Sequence, residues 1–143
     1  MVREFTTVLV TVSPWDGKFN ARLYGGWVNT EVMNWYLRST RKRFGRDYCL
    51  LFIDGAGCHD GEDLKVPAGI HIEKLPAYSP ELNPAEGIWS YLHEKYMDNR
   101  LFSSVGGVED TLCDALQDMA NVPDTIRSLT LFEWVKAASL TSE

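Results

Sequence analysis

The sequence predicts an α/β fold, a mixed β-sheet flanked by helices, and three observations carry that prediction. Residues 4–12, "EFTTVLVTV", alternate and are rich in Thr and Val, the pattern of a strand. Residues 49–53, "CLLFI", are an unbroken apolar run between Tyr48 and Asp54, the look of a central strand covered on both faces. Apolar residues elsewhere recur at helical spacing. The order strand, strand, helix, strand, strand, helix, helix places helices on the faces of a mixed sheet.

Each element has its own local reason. Pro14 and the Asp16-Gly17 pair in "SPWDGKF" mark a tight turn, so "FNARLYGG" returns as an antiparallel partner of the first strand. Asn29 is placed to cap a helix on which Val32, Met33, Tyr36, Leu37 and Phe44 form one face. Gly45 can end that helix in a left-handed conformation, and the basic residues of its last turns suit the helix dipole. After the glycine-rich "DGAGCHDG" comes a short irregular or helical piece. In "GIHIEKL", Ile70 and Ile72 alternate with His71 and Glu73, a half-buried strand. A helix is expected over residues 84–97 with Ile88, Trp89, Leu92 and Tyr96 inward, and two more over 108–120 and 123–137. Internal repeats and low-complexity segments are absent from the sequence.

The chain has 143 residues, enough for one domain with a real core, and we read residues 1–143 as a single domain. Nothing in it resembles a signal peptide, and no window approaches the roughly 20 apolar residues of a membrane helix. Cys49, Cys58 and Cys113 lie far apart without a C-x-x-C pair, which indicates neither a zinc site nor a disulfide framework and suits a reducing, cytoplasmic compartment. A net charge of −6 argues by itself against a nucleic-acid partner. The distribution argues less strongly, because Arg38, Arg41, Lys42, Arg43 and Arg46 cluster while the acids spread over the second half. Such a cluster tracks DNA phosphates or is simply a solvated helix end.

Two carboxylates are candidates for chemistry. Asp54 sits where a buried strand meets a glycine-rich turn, the end of an open α/β sheet at which ligands gather. Taken by itself it reads more readily as a turn aspartate accepting backbone N–H bonds, because Asp-Gly is so common in turns. Glu86 opens an amphipathic run after "LPAYSPELNP". Asn83, Pro84 and Glu86 also fit the N-cap, N1 and N3 positions of a capping box. Capping leaves Pro76 and Pro80 unexplained, since a loop that only connects does not need such stiffening. Together, a carboxylate at a strand end and one at a helix start can share divalent cations. Two such ions roughly 3.5–4 Å apart clamp the attacking and leaving oxygens of a phosphodiester. Magnesium suits such a site because it takes one or two protein carboxylates and keeps waters.

"LFIDGAGCH" followed by "LPAYSPELNPAEGIWSYLHEK" resembles the DDE endonuclease domain of mariner-like bacterial insertion-sequence transposases. The second block matches the family pattern nearly throughout, and weaker similarity runs through "GGWVNTEVMNWYL" and down to "IRSLTLFEWV". The resemblance implies a ribonuclease-H-like fold, two Mg2+ or Mn2+ ions, and cleavage and joining of DNA strands during transposition. By position, Asp54 resembles the second acid of the triad and Glu86 the third, both as metal ligands. His59 and Asn83 match positions beside the site, and Arg41, Lys42 and Arg43 are candidate phosphate contacts. Implied partners are transposon ends and target DNA, with a homodimer as a further expectation.

The family carries a first acid on a strand ahead of the strand–turn–strand unit in which this chain begins. Asp16, in the hairpin turn, and Glu4, near the start, are the nearest upstream acids and poor substitutes. The helix-turn-helix region that the family places upstream is also outside this sequence. We therefore expect the C-terminal part of a transposase catalytic domain lacking its first strand, incompetent alone. The product of an upstream reading frame or a full-length transposase would then be a partner. The rival expectation is a non-catalytic module that binds a transposase or DNA ends. His71 and His93 read as ordinary surface or boundary residues, and Trp89, Tyr91 and Tyr96 as core.

Overall fold

The computed structural model describes residues 7–53, 63–76, 79–97 and 105–140. They form a mixed α/β structure of short strands and helices, grouped in two compact units. The first unit spans Met1–Leu9 and Asn20–Asn83; the second spans Val10–Phe19 and Pro84–Glu143.

β1 (Thr7–Val12) and β2 (Phe19–Tyr24) pair through the expected turn. The Ser13 N–H donates to the Lys18 carbonyl at 2.8 Å, and the Lys18 N–H donates to Asp16 Oδ1 at 3.0 Å. Gly17 takes a φ of 74°, which glycine adopts without a Cβ penalty. A connection this short admits only antiparallel pairing, because parallel strands need a crossover of about a dozen residues or more.

α1 (Thr30–Phe44) starts where its sequence says it should: Asn29 Oδ1 accepts from the Val32 N–H at 2.9 Å. Its buried face is Val32, Met33, Tyr36, Leu37, Thr40 and Phe44. Gly45 ends it at φ 66° as expected for glycine, but a ψ of −127° takes the residue out of the left-handed helical region. The Arg41 guanidinium donates to the carbonyls of Gly45 and Asp47, closing the helix from the side. Asn20 of β2 is locked to the helix, its Nδ2 donating to Ser39 Oγ at 2.9 Å and Thr40 Oγ1 at 3.2 Å.

β3 (Cys49–Ile53) and β4 (Ile70–Lys74) pair in parallel, Cys49 opposite Ile70 through Ile53 opposite Lys74. Leu51 and Ile72, with Leu9 of β1, pack against Met33, Tyr36 and Leu37 of α1. One helix thus covers residues of both strand pairs. Two expectations change here. Instead of one mixed sheet, the described strands form two two-stranded sheets, with no ladder joining β1–β2 to β3–β4 among the described residues. Nor is β3 covered on both faces: Leu50 is 52% and Phe52 42% exposed. An unbroken apolar run hides the two-residue alternation that would have revealed a half-open strand.

Besides the hairpin tip, the described residues of the second unit hold α2 (Ala85–Leu92), a π-helical turn over His93–Met97, α3 (Val105–Ala120), α4 (Pro123–Thr130) and α5 (Glu133–Leu140). The single helix expected over 123–137 is two. Thr130, fully buried, turns its hydroxyl back to the Ile126 carbonyl at 2.7 Å, and Leu131 leaves helical geometry at ψ 72°. α4 packs on α2 and α3. A Cβ on Gly17 would lie 2.1 Å from the Pro123 carbonyl oxygen, so the hairpin tip sits against the start of α4 as only glycine allows. No helix among the described residues is long and apolar enough to cross a membrane.

Candidate active site

The site expected from sequence begins at the carboxyl end of β3. Asp54 follows Ile53 directly in the chain; Asp54 and His59 themselves lie outside the described residues. The backbone on both sides of their segment is fixed. Upstream, the Leu75 N–H donates to the Ile53 carbonyl at 2.7 Å, carrying the β3–β4 ladder to the last residue before Asp54. Downstream, Asn34 of α1 clamps the chain, its Nδ2 donating to the Asp63 carbonyl at 3.1 Å and its Oδ1 accepting from the Lys65 N–H at 2.7 Å. Sequence reading passed over Asn34, because an asparagine amid a helix carries no sign of a remote backbone partner.

The same ladder bond starts the loop toward Glu86. Leu75 is buried and paired with Ile53, and the proline-rich stretch leaves from there, at the sheet edge from which Asp54 also departs. The loop closes through a 3₁₀ turn over Pro80–Leu82, with the Leu82 N–H donating to the Ser79 carbonyl at 3.1 Å. Pro76 and Pro80 each fix one backbone torsion on this path.

α2 opens one residue later than the capping-box reading places it. Pro84, already helical at φ −57°, ψ −26°, takes the cap position and offers no side-chain hydrogen bond. Glu86 lies in the first turn of α2. Ala85, Ile88 and Leu92 bury one face of α2, Ile88 completely. Glu86, about 100° round the helix from Ala85, is left exposed with Ser90 and His93. Gly87 sets the depth of this packing: a Cβ there would meet the Leu129 carbonyl oxygen at 2.1 Å. α4 can approach α2 so closely only because residue 87 has no side chain.

Beyond Glu86, the aromatic residues read as core behave otherwise. Trp89, Tyr91 and Tyr96 are half-buried. Tyr91 and Tyr96 meet edge to face with centroids 6.3 Å apart. Lys95 Nζ lies 5.2 and 5.6 Å from the two rings and donates to the Tyr91 hydroxyl at 2.8 Å. That hydrogen bond holds the Lys95 ammonium above its ordinary pKa. The π-helical turn brings these residues together where a regular helix would face Tyr96 inward. His71, on β4, pairs with Glu73 at 2.7 Å, both exposed.

Among the described residues, no group of three or more His, Cys, Asp or Glu side chains is gathered as a metal cluster. The donors expected from sequence are nevertheless of the right chemical kind, since carboxylate oxygens are the hard ligands that magnesium and manganese take.

A sequence profile of the DDE superfamily endonucleases matches residues 3–109. The chain is also 33% identical over 124 residues to the uncharacterized protein y4pE/y4sA of Sinorhizobium fredii (strain NBRC 101917 / NGR234), covering 86% of this chain and 91% of that protein. No solved structure matches.

Proposed function

The chain belongs to the DDE superfamily of endonucleases, whose members usually use divalent metal ions, and on that premise we propose a transposase-derived domain for cutting and joining DNA strands. In this reading it is of the mariner-like insertion-sequence kind with a ribonuclease-H-like core, and Asp54 and Glu86 are its metal ligands. One observation carries most weight. The Leu75–Ile53 ladder bond launches both the Asp54 segment and the stiffened loop toward Glu86 from one fixed sheet edge.

Glu86 supports this role in two ways. It is exposed on a helix whose opposite face is buried, so its carboxylate is available to a ligand rather than committed to the core. It is also on a short helix held by close packing, which limits its wandering. When bound, Mg2+ or Mn2+ would supply charge stabilisation to the phosphodiester and a more acidic nucleophile. The chain's own part in this reading is to present two carboxylates to the metal, with His59 and Asn83 as the residues that would orient them. Asp54 and Glu86 would be two of the three acids that the family uses, and in this reading a further acid completes the metal site. The product of an upstream frame or a full-length transposase is one proposed source of that acid.

The test is a plasmid-nicking assay with Mg2+ or Mn2+, with calorimetric titration of the metal alongside. We expect weak metal binding lost in Asp54→Ala and Glu86→Gln, and no nicking by the chain alone. Loss of one key electrostatic stabiliser costs about 10²–10³-fold in rate. Tight metal binding that survives Asp54→Ala would overturn the assignment of the ligands. Nicking by the chain alone, abolished in Glu86→Gln, would show that a further residue such as Asp16 or Glu4 supplies the third acid. Nicking only when the upstream product is added would establish completion in trans.

A further inference from the structure

We propose that the outer face of α1 is a docking surface for single-stranded DNA, formed by Trp35, Arg38 and Lys42 and continued past the helix end by Arg46 and Tyr48. Positions 31, 35, 38 and 42 fall at i, i+4, i+7 and i+11, one stripe along the helix. The opposite stripe, Met33, Tyr36, Leu37 and Phe44, is in the core, so this face is fixed outward.

Charge is the first reason. Residues 30–48 hold five cations against Glu31 and Asp47, a positive segment in a chain whose net charge is −6. Arg41 is engaged with the carbonyls of Gly45 and Asp47, which leaves the structural closing of the helix to that residue. Arg38, Lys42 and Arg46 are exposed. A dipole-stabilising role explains a cation in the last turn. It does not reach Arg38, nearly two turns before the helix ends, since the dipole effect fades within the last turn.

Aromatic exposure is the second reason, and it selects a single strand over a duplex. Trp35 is 38% exposed within the cationic stripe, and Tyr48 is 75% exposed just past the helix. Duplex bases are stacked on one another and offer such rings nothing, whereas unpaired bases stack on them, a contribution of about 1–3 kcal/mol per base. An anionic lipid surface fits less well: the apolar side of α1 is already in the core and cannot insert. The short Trp–Arg–Lys row matches the pairing of stacking platform and phosphate contacts that single-strand binders use.

The surface is independent of the acids, so its test is run in EDTA and repeated in Glu86→Gln. Failure of the metal reading leaves this result untouched, and the reverse also holds. Fluorescence anisotropy of labelled oligo(dT) and of a duplex of equal length, titrated with the full chain, is the measurement. We expect oligo(dT) to bind more tightly than the duplex, with Trp35 emission quenched. Trp35→Ala should weaken oligo(dT) binding about 5- to 150-fold. The Arg38→Ala/Lys42→Ala pair should lower the slope of log K against log salt by about 1.4 for two lost single-strand phosphate contacts. Circular dichroism of each variant should match the parent, since all three side chains are exposed. Equal or tighter duplex binding, binding unchanged in Trp35→Ala, or no binding to either DNA would overturn the proposal. So would tighter binding to phosphatidylserine vesicles or to oligo(rU).

Discussion

The two helices α1 and α2 reach their ends by different means. α1 is specified by its own residues: Asn29 caps its first turn, Gly45 and Arg41 close its last, and fifteen residues lie between them. α2 has eight residues, a proline where a capping side chain would be, and a glycine in its first turn. Helices that short are marginal in isolation, so α2 owes its position to what it packs on. Ile88 and Leu92 are buried beneath it, and Gly87 lets the Leu129 carbonyl approach its backbone. The helix carrying the candidate acid is thus the one its neighbours place. Local sequence is enough to build a scaffold helix. Aiming a carboxylate takes tertiary contact.

Four substitutions test that contrast, each read as a change in unfolding free energy by urea denaturation. Ile88→Ala should have the largest effect, a loss of about 2–5 kcal/mol, because it leaves a cavity at a position with no solvent exposure. A loss near zero would mean that α2 is not held from below.

Gly87→Ala sharpens the contrast further. Helix propensity alone would favour alanine by about 1 kcal/mol. The new Cβ would overlap the Leu129 carbonyl oxygen, and moving backbone to accommodate it should produce a net loss of about 1–3 kcal/mol instead. The sign of this change decides between local and tertiary control of α2, and a net gain would break the comparison.

Asn29→Ala should cost about 1 kcal/mol, the typical loss of a helix cap, because α1 rests partly on its own first turn. Glu86→Gln should change stability by less than about 0.5 kcal/mol, since the side chain is exposed. A substantial loss there would return Glu86 to a structural role. If stability holds while metal binding falls, the carboxylate serves a ligand.

Much of the fold was legible because its signals are local. The hairpin turn at Asp16-Gly17, the Asn29 cap and the strand in "GIHIEKL" each rest on residues within a few positions of one another. The fate of β3 was not legible. Five apolar residues in a row look the same whether both faces are covered or one, and Leu50 and Phe52 are exposed because of what lies beyond the strand. The break at Leu131 was equally hidden, since it depends on a buried threonine bonding back to Ile126. For the candidate site, the motifs named Asp54 and Glu86 and the prolines pointed to a stiff approach. The clamp by Asn34 and the bond from Leu75 to Ile53 join residues far apart in the chain and leave no periodic trace.

The sequence by itself pointed to the family, to Asp54 and Glu86 as the candidate acids and to the helix that carries the cations, because those rest on residue chemistry and short-range spacing. Only the tertiary structure decided that the described strands stand as two pairs under one helix, that Arg41 closes α1 while Arg38 and Lys42 face solvent, and that Glu86 lies on the open side of a helix fixed by Gly87. The physical reason is the same in each case. Burial and close approach are set by which surfaces meet, and a linear sequence encodes that meeting only through contacts between distant residues.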